Sequence, residues 1–113
     1  MENLTIGATR NWSRNVLEWT LASDPFYNPH KVGGRTGCLG AITINNPAVT
    51  RNVAYYIIAS ASKFVRPGSV RIASNNTGNL VNGAFKNPAG QKVLIILNKG
   101  TGTEAVSSAA MEK

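Results

Sequence analysis

The sequence predicts an α+β chain: a helix–strand–helix unit of the kind that builds an α/β barrel, followed by antiparallel β structure. Three observations carry this. Apolar residues at Leu4, Ala8, Trp12 and Val16 recur every four positions on one helical face, with Arg10 and Arg14 on the other. Val16-Leu17-Glu18-Trp19 is then too short for another helical turn before Pro25. It reads as a short strand delivered by that helix into a long Gly/Pro-rich loop, the layout of one barrel unit. Beyond Gly68 the period changes to two, at Val70 and Ile72 and again from Val81 to Phe85, as in half-buried strands.

The loop from Ser23 to Gly40 holds Pro25, Pro29 and Gly33, Gly34, Gly37 and Gly40, and loops of that length in compact domains are either functional or disordered. Gly40-Ala41-Ile42-Thr43-Ile44 reads as a strand, and Asn45-Asn46-Pro47 ends it in a turn. Thr50 is placed to cap a helix running from Arg51 to about Val65. Val53, Tyr56, Ile57, Ser60, Ala61 and Phe64 form its main apolar face, and Tyr55, Ile58 and Val65 add more, so it is expected to be largely buried. Arg66-Pro67-Gly68 stops it. Asn87-Pro88-Ala89-Gly90 joins Val81–Lys86 to the strongly apolar Lys92–Asn98 in an antiparallel hairpin. Lys92–Asn98 is expected to present a hydrophobic edge. Residues 104–113 form a small, polar, flexible tail.

At 113 residues the chain is one domain at most, below the ~250 residues of a whole (β/α)8 barrel. No apolar run approaches the ~20 residues of a membrane span. The first residues lack the basic start and apolar core of a signal peptide. Net charge is +7, and between Asp24 and Glu104 there are nine Lys and Arg and no acid. A polyanion-binding surface is one reading. The basic residues form no block and accompany no aromatic RNA-binding motif, which favours scattered, solvated charge and no specific nucleic-acid partner. Cys38 is the only cysteine, so the chain holds no disulfide of its own and no cysteine metal cluster. No dinucleotide, phosphate-loop, nucleophile-elbow or metal motif is present, and no cofactor is expected.

Some segments carry a resemblance. NWSRNVLEWTLASDP, Pro29-His30, Gly33-Gly34, Cys38 and GAITI, then Tyr55-Tyr56, SKFVRPGSVRI and Val93–Asn98 resemble the C-terminal part of bacterial glycoside hydrolase family 30 enzymes, the glucosylceramidase-like retaining glycosidases. The match runs in the family's order from about Asn11 to Asn98. It implies that residues 1–67 are the last helix–strand–helix of a TIM barrel and residues 68–103 part of a β-sandwich beside it. It implies hydrolysis of β-glycosidic bonds, including those of sphingolipids, in enzymes that are often secreted or periplasmic. Where relatives carry Cys-x-x-Cys, this chain reads Arg35-Thr36-Gly37-Cys38.

The chemistry of a retaining glycosidase needs two carboxyl groups ~5–5.5 Å apart. The chain has five acidic residues, of which Glu2, Glu104 and Glu112 lie near its ends and only Glu18 and Asp24 inside predicted structure. The resemblance puts both catalytic glutamates on earlier barrel strands, so this chain is expected to supply no catalytic residue and to be inactive alone. Glu18 is expected to act as a hydrogen-bonding residue lining the barrel. Trp19 corresponds to a tryptophan of the sugar pocket, where an indole offers a flat face to sugar C–H groups and one N–H donor. Thr20 follows it where relatives have Asn, and His30 and Arg35 are loop residues placed to border the site. Trp12 is expected to pack on the helix's apolar face. The partners implied are a β-glycoside and the earlier barrel. The rival reading is a free-standing basic β-rich module that binds glycan or polyanion.

Overall fold

The computed structural model describes residues 1–107, so the expected tail at 104–113 lies partly outside the described residues. In chain order the elements are a π-wound helix Glu2–Ala8, strands β1 (Ala22–Ser23), β2 (Ile42–Asn45) and β3 (Ala48–Arg51), helix α1 (Val53–Ser62), and strands β4 (Val70–Ile72), β5 (Leu80–Lys86) and β6 (Lys92–Asn98). They form two compact units. One joins Met1–Val16 to the chain from Ala61 onward, and the other is Leu17–Ser60.

In the first unit the N-terminal helix is wider and shorter than its four-residue period predicts. The Ile6 N–H reaches back to the Met1 carbonyl at 3.1 Å, the wide spacing of a π-helix. Thr9 turns its hydroxyl onto the Thr5 carbonyl at 2.7 Å, and the Asn11 amide donates to the Gly7 carbonyl at 2.8 Å. Such side-chain bonds compete with further helical turns. The winding stops after Arg10, where Trp12 adopts a left-handed φ of 69° and Ser13 donates to the Ala8 carbonyl at 3.0 Å. Trp12 therefore leaves the helix and lies exposed, which corrects its expected place on a buried face.

Ile6 is the most buried residue of this unit at 2 % exposure, packed with Phe85 and Ile95. Met1, Val65, Val81, Val93 and Leu97 surround them. β4, β5 and β6 make an antiparallel sheet in that order. The predicted hairpin is present, from Leu80↔Asn98 to Lys86↔Lys92, with β6 as an outer strand among the described residues. Its turn works as the sequence suggests: Gly90 takes a φ of 84°, and Asn87 accepts the Gly90 N–H at 2.9 Å. Val81, Gly83 and Phe85 lie on one face of β5, and Ile6 packs against that face. Arg10 fastens the helix end to the sheet, its Nη1 donating to the Ser74 carbonyl at 3.1 Å, the Ser74 hydroxyl at 3.2 Å and the Asn82 carbonyl at 3.0 Å.

In the second unit β1 runs parallel to β2, with Ala22 opposite Ile42 and Ser23 opposite Thr43. β2 and β3 form an antiparallel hairpin closed by Asn46-Pro47, from Ile42↔Arg51 to Asn45↔Ala48. Two expectations need correction here. The first strand is not Val16–Trp19: pairing begins at Thr20, whose carbonyl accepts the Ala41 N–H at 2.9 Å. A strand forms where its ladder has a partner, and among the described residues only the stretch after Trp19 has one. The second correction concerns Thr50, which lies in β3 and caps nothing. Asn52 precedes the helix, and its amide ties the hairpin together by donating to the Gly40 carbonyl at 2.8 Å and the Thr43 hydroxyl at 2.9 Å.

Helix α1 is shorter than predicted, and none of its residues is buried. Val53 and Tyr56 are exposed, contrary to the expectation of a covered helix, because no described element of the second unit lies over them. Among the described residues no helix is long and apolar enough to cross a membrane.

Candidate functional site

A cluster of hydrogen-bonded polar groups lies at the C-terminal end of β1 in the second unit. Gly40 makes it possible. A Cβ there would meet the Ala22 carbonyl carbon and the Ser23 nitrogen at 2.7 Å, so only glycine lets the returning chain lie against β1. Buried Ser23 takes advantage of that approach, its hydroxyl accepting the Gly40 N–H at 3.1 Å.

Asp24 then folds the start of the loop around its carboxylate. Oδ1 accepts the backbone N–H groups of Phe26 and Asn28, each at 2.8 Å, and Oδ2 accepts the Asn28 side-chain amide at 3.0 Å. The loop closes as the Asp24 N–H donates to the Asn28 carbonyl at 2.9 Å. Ala22, Ser23, Asp24, Asn28, Pro29 and Ile44 line an open depression of about 240 Å³ at this point.

The donors of Asn28, backbone first and amide second, hold the Asp24 carboxyl below its ordinary range; desolvation opposes them, and the Phe26 N–H and nearby His30 add to the lowering. A carboxyl with a depressed folded-state pKa stabilises the loop above its unfolded pKa, and that contribution is lost as pH falls through the folded value. Hydrogen exchange at Phe26 and Asn28 is therefore expected to show protection near neutral pH that fades once pH drops below the free-carboxyl value of 3.8. In Asp24→Ala the two amides should be unprotected at every pH. Protection in that variant equal to the parent's would sink this account of the loop.

The site residues expected from sequence are only partly gathered here. Trp19 lies just before β1, its side chain 87 % exposed, and the Trp19–Thr20 peptide is cis. Thr20 is half-buried and holds Ala41 through its carbonyl. His30 and Arg35 are exposed on the loop; His30 interacts electrostatically with Asp24, and Arg35 makes no hydrogen bond or ion pair among the described residues. Trp19, Thr20, His30 and Arg35 do not line the depression. Glu18 is exposed and makes no ion pair or hydrogen bond among the described residues. Ser23 and Asn28, which the sequence reading does not single out, hold the local structure. The available signal for Asn28 is Asp24-Pro25 followed by a second turn-forming amide. No group of His, Cys, Asp and Glu fit to hold a metal occurs among the described residues.

Comparison with known proteins bears on this geometry. Residues 68–109 match the family model described as the glycosyl hydrolase family 30 beta sandwich domain. The chain is 35% identical over 103 residues to an endo-1,6-β-D-glucanase of Aspergillus fumigatus, covering 85% of this chain and 21% of that protein. It is 34% identical over 99 residues to a protein of Caenorhabditis elegans whose name assigns it provisionally to the glucosylceramidases, covering 80% of this chain and 18% of the other. Among solved structures, an endo-β1,6-glucanase superposes with a TM-score of 0.79 at 36% identity, over 88% of this chain and 23% of that one. The chain thus spans about a fifth of the length of the relatives it matches. The relatives named here come from a fungus and a nematode, and the bacterial origin that the resemblance suggests has no support among them.

Proposed function

Because the chain belongs to glycosyl hydrolase family 30, we propose that it is part of a β-glycosidase that cleaves β-1,6-glucan. The observation that carries this reading is agreement: similarity in sequence and similarity in fold both lead to endo-β1,6-glucanases. Residues 1–67 contribute the end of a (β/α)8 barrel and residues 68–103 part of the β-sandwich.

The reaction is hydrolysis with retention, through a glycosyl-enzyme intermediate formed between two carboxyl groups ~5–5.5 Å apart. The carboxylates of this chain are poorly suited to that work. Both oxygens of Asp24 are committed to the loop, and Glu18 is exposed with no carboxyl partner beside it. On this reading the reacting pair belongs to polypeptide outside these residues. This chain supplies a wall of the pocket. Trp19 stacks its indole on a sugar ring, Thr20 follows it, and His30 and Arg35 border the loop side.

A second reading, hydrolysis of the β-glucosyl bond of glucosylceramide, is favoured by the nematode relative. The test is the complete protein encoded by the open reading frame, purified and offered a linear β-1,6-glucan and glucosylceramide in turn. New reducing ends from the glucan are expected, and none from the 113-residue chain alone. Ceramide release without glucan cleavage would select the second reading. Tight binding of either substrate without turnover would revive the binding module.

A further inference from the structure

We propose that Trp12 and Arg71 form a glucan-docking platform on the sheet-bearing unit. The choice of a β-glucan as ligand rests on the function proposed above; the platform itself rests on geometry. Trp12 turns the chain left-handed after the N-terminal helix, at a φ of 69°. That position favours glycine or asparagine, and a bulky aromatic pays a steric penalty there. Burial gives little back, since the side chain is 78 % exposed. A strained, solvent-facing tryptophan asks for a use outside the fold.

Arg71 supplies the second observation. Its guanidinium lies 4.6 Å from the centroid of the Trp12 ring, covering one face and fixing the plane of the indole. The exposed side of the ring faces water. A flat, pre-oriented indole face fits the C–H face of a pyranose. The chain on either side of Trp12 carries neutral or cationic polar side chains. Arg14 and Asn11 are exposed in the adjoining chain, and no acidic residue occurs between Glu2 and Glu18. The ligand class that suits such a surface is a neutral glucan chain, held by stacking and hydrogen bonds to hydroxyls.

The chain contains two tryptophans, so Trp19→Phe leaves Trp12 as the only indole. Titrating that variant of the full chain with linear β-1,6-glucan oligosaccharides is expected to change its tryptophan fluorescence saturably. A flat titration overturns the platform. In gels containing the polymer, Trp12→Ala is expected to bind roughly tenfold more weakly than the parent, while Trp12→Phe keeps most of the retardation. Equal retardation of Trp12→Ala and the parent also overturns it. Because these readouts need no turnover, a complete protein that fails to cleave β-1,6-glucan leaves the fluorescence result to decide the platform by itself. If the complete protein does cleave it, Trp12→Ala should slow attack on the polymer more than attack on short oligosaccharides.

Discussion

Replacing Phe85 by alanine is expected to remove about 3–5 kcal/mol from the sheet-bearing unit, the usual loss for a large aromatic cut out of a core. The reason for so large an effect is how little core there is. Phe85 at 7 % exposure clusters with buried Ile6 and Ile95, and Ile6 arrives on the N-terminal helix from the far end of the sequence. Removing the ring leaves Ile6 without its partner and weakens the helix's hold on β5. Net stability of a small domain is only about 5–15 kcal/mol, so the loss consumes much of the margin. Thermal unfolding followed by near-ultraviolet circular dichroism should show the cooperative transition shifted far down or abolished. Leu17→Ala is the control: its side chain is already 87 % exposed, and a change within about 0.5 kcal/mol is expected. A Phe85→Ala protein that melts with the parent would mean that the packing of Ile6, Phe85 and Ile95 does not hold this unit.

That same core explains which parts of the fold were readable in advance. The hairpin of β5 and β6 is local, its alternation is strict, and Asn87-Pro88-Ala89-Gly90 carries its own turn chemistry, so sequence and structure agree except that β5 starts one residue earlier, at Leu80. The N-terminal helix was readable as a helix but not in its extent. Its four-residue period runs through Trp12 and Val16, whereas the side-chain bonds of Thr9 and Asn11 to the backbone end the winding earlier. Periodicity registers apolar spacing and is blind to such competition. The first strand failed for a different reason. Val16–Trp19 and Thr20–Ser23 are both acceptable as extended chain, and the choice is made by Ala41–Thr43, some twenty residues away, through Gly40 and Ser23. No local pattern contains that information. At the candidate site the place of Trp19 rests on the resemblance, and it does not line the depression, while the role of Asp24 as the loop's organiser emerges only from its hydrogen bonds.

The exposure of Trp19 sharpens what its removal should do. In this chain the indole is 87 % exposed, so it contributes little to holding the second unit together. If it lines the sugar pocket of the complete enzyme, its value lies in contact with substrate. A pyranose stacked on the ring covers about 100 Å² of apolar surface, worth ~2.5 kcal/mol at ~25 cal/mol per Å². Trp19→Ala in the complete protein is therefore expected to lower kcat/KM on β-1,6-glucan by roughly 70-fold. Melting temperature should stay within about 2 °C of the parent, as for a surface substitution. Trp19→Phe keeps a flat apolar face and loses only area and the N–H donor, so it should recover much of the activity. How the loss divides between kcat and KM then reports when the contact is made. A rise in KM alone marks a sugar held equally in ground and transition states, and a fall in kcat marks a ring gripped only as the bond breaks. Normal kinetics accompanied by a large drop in melting temperature would give Trp19 to the barrel core instead, covered in the complete protein by structure that leaves it no substrate to touch.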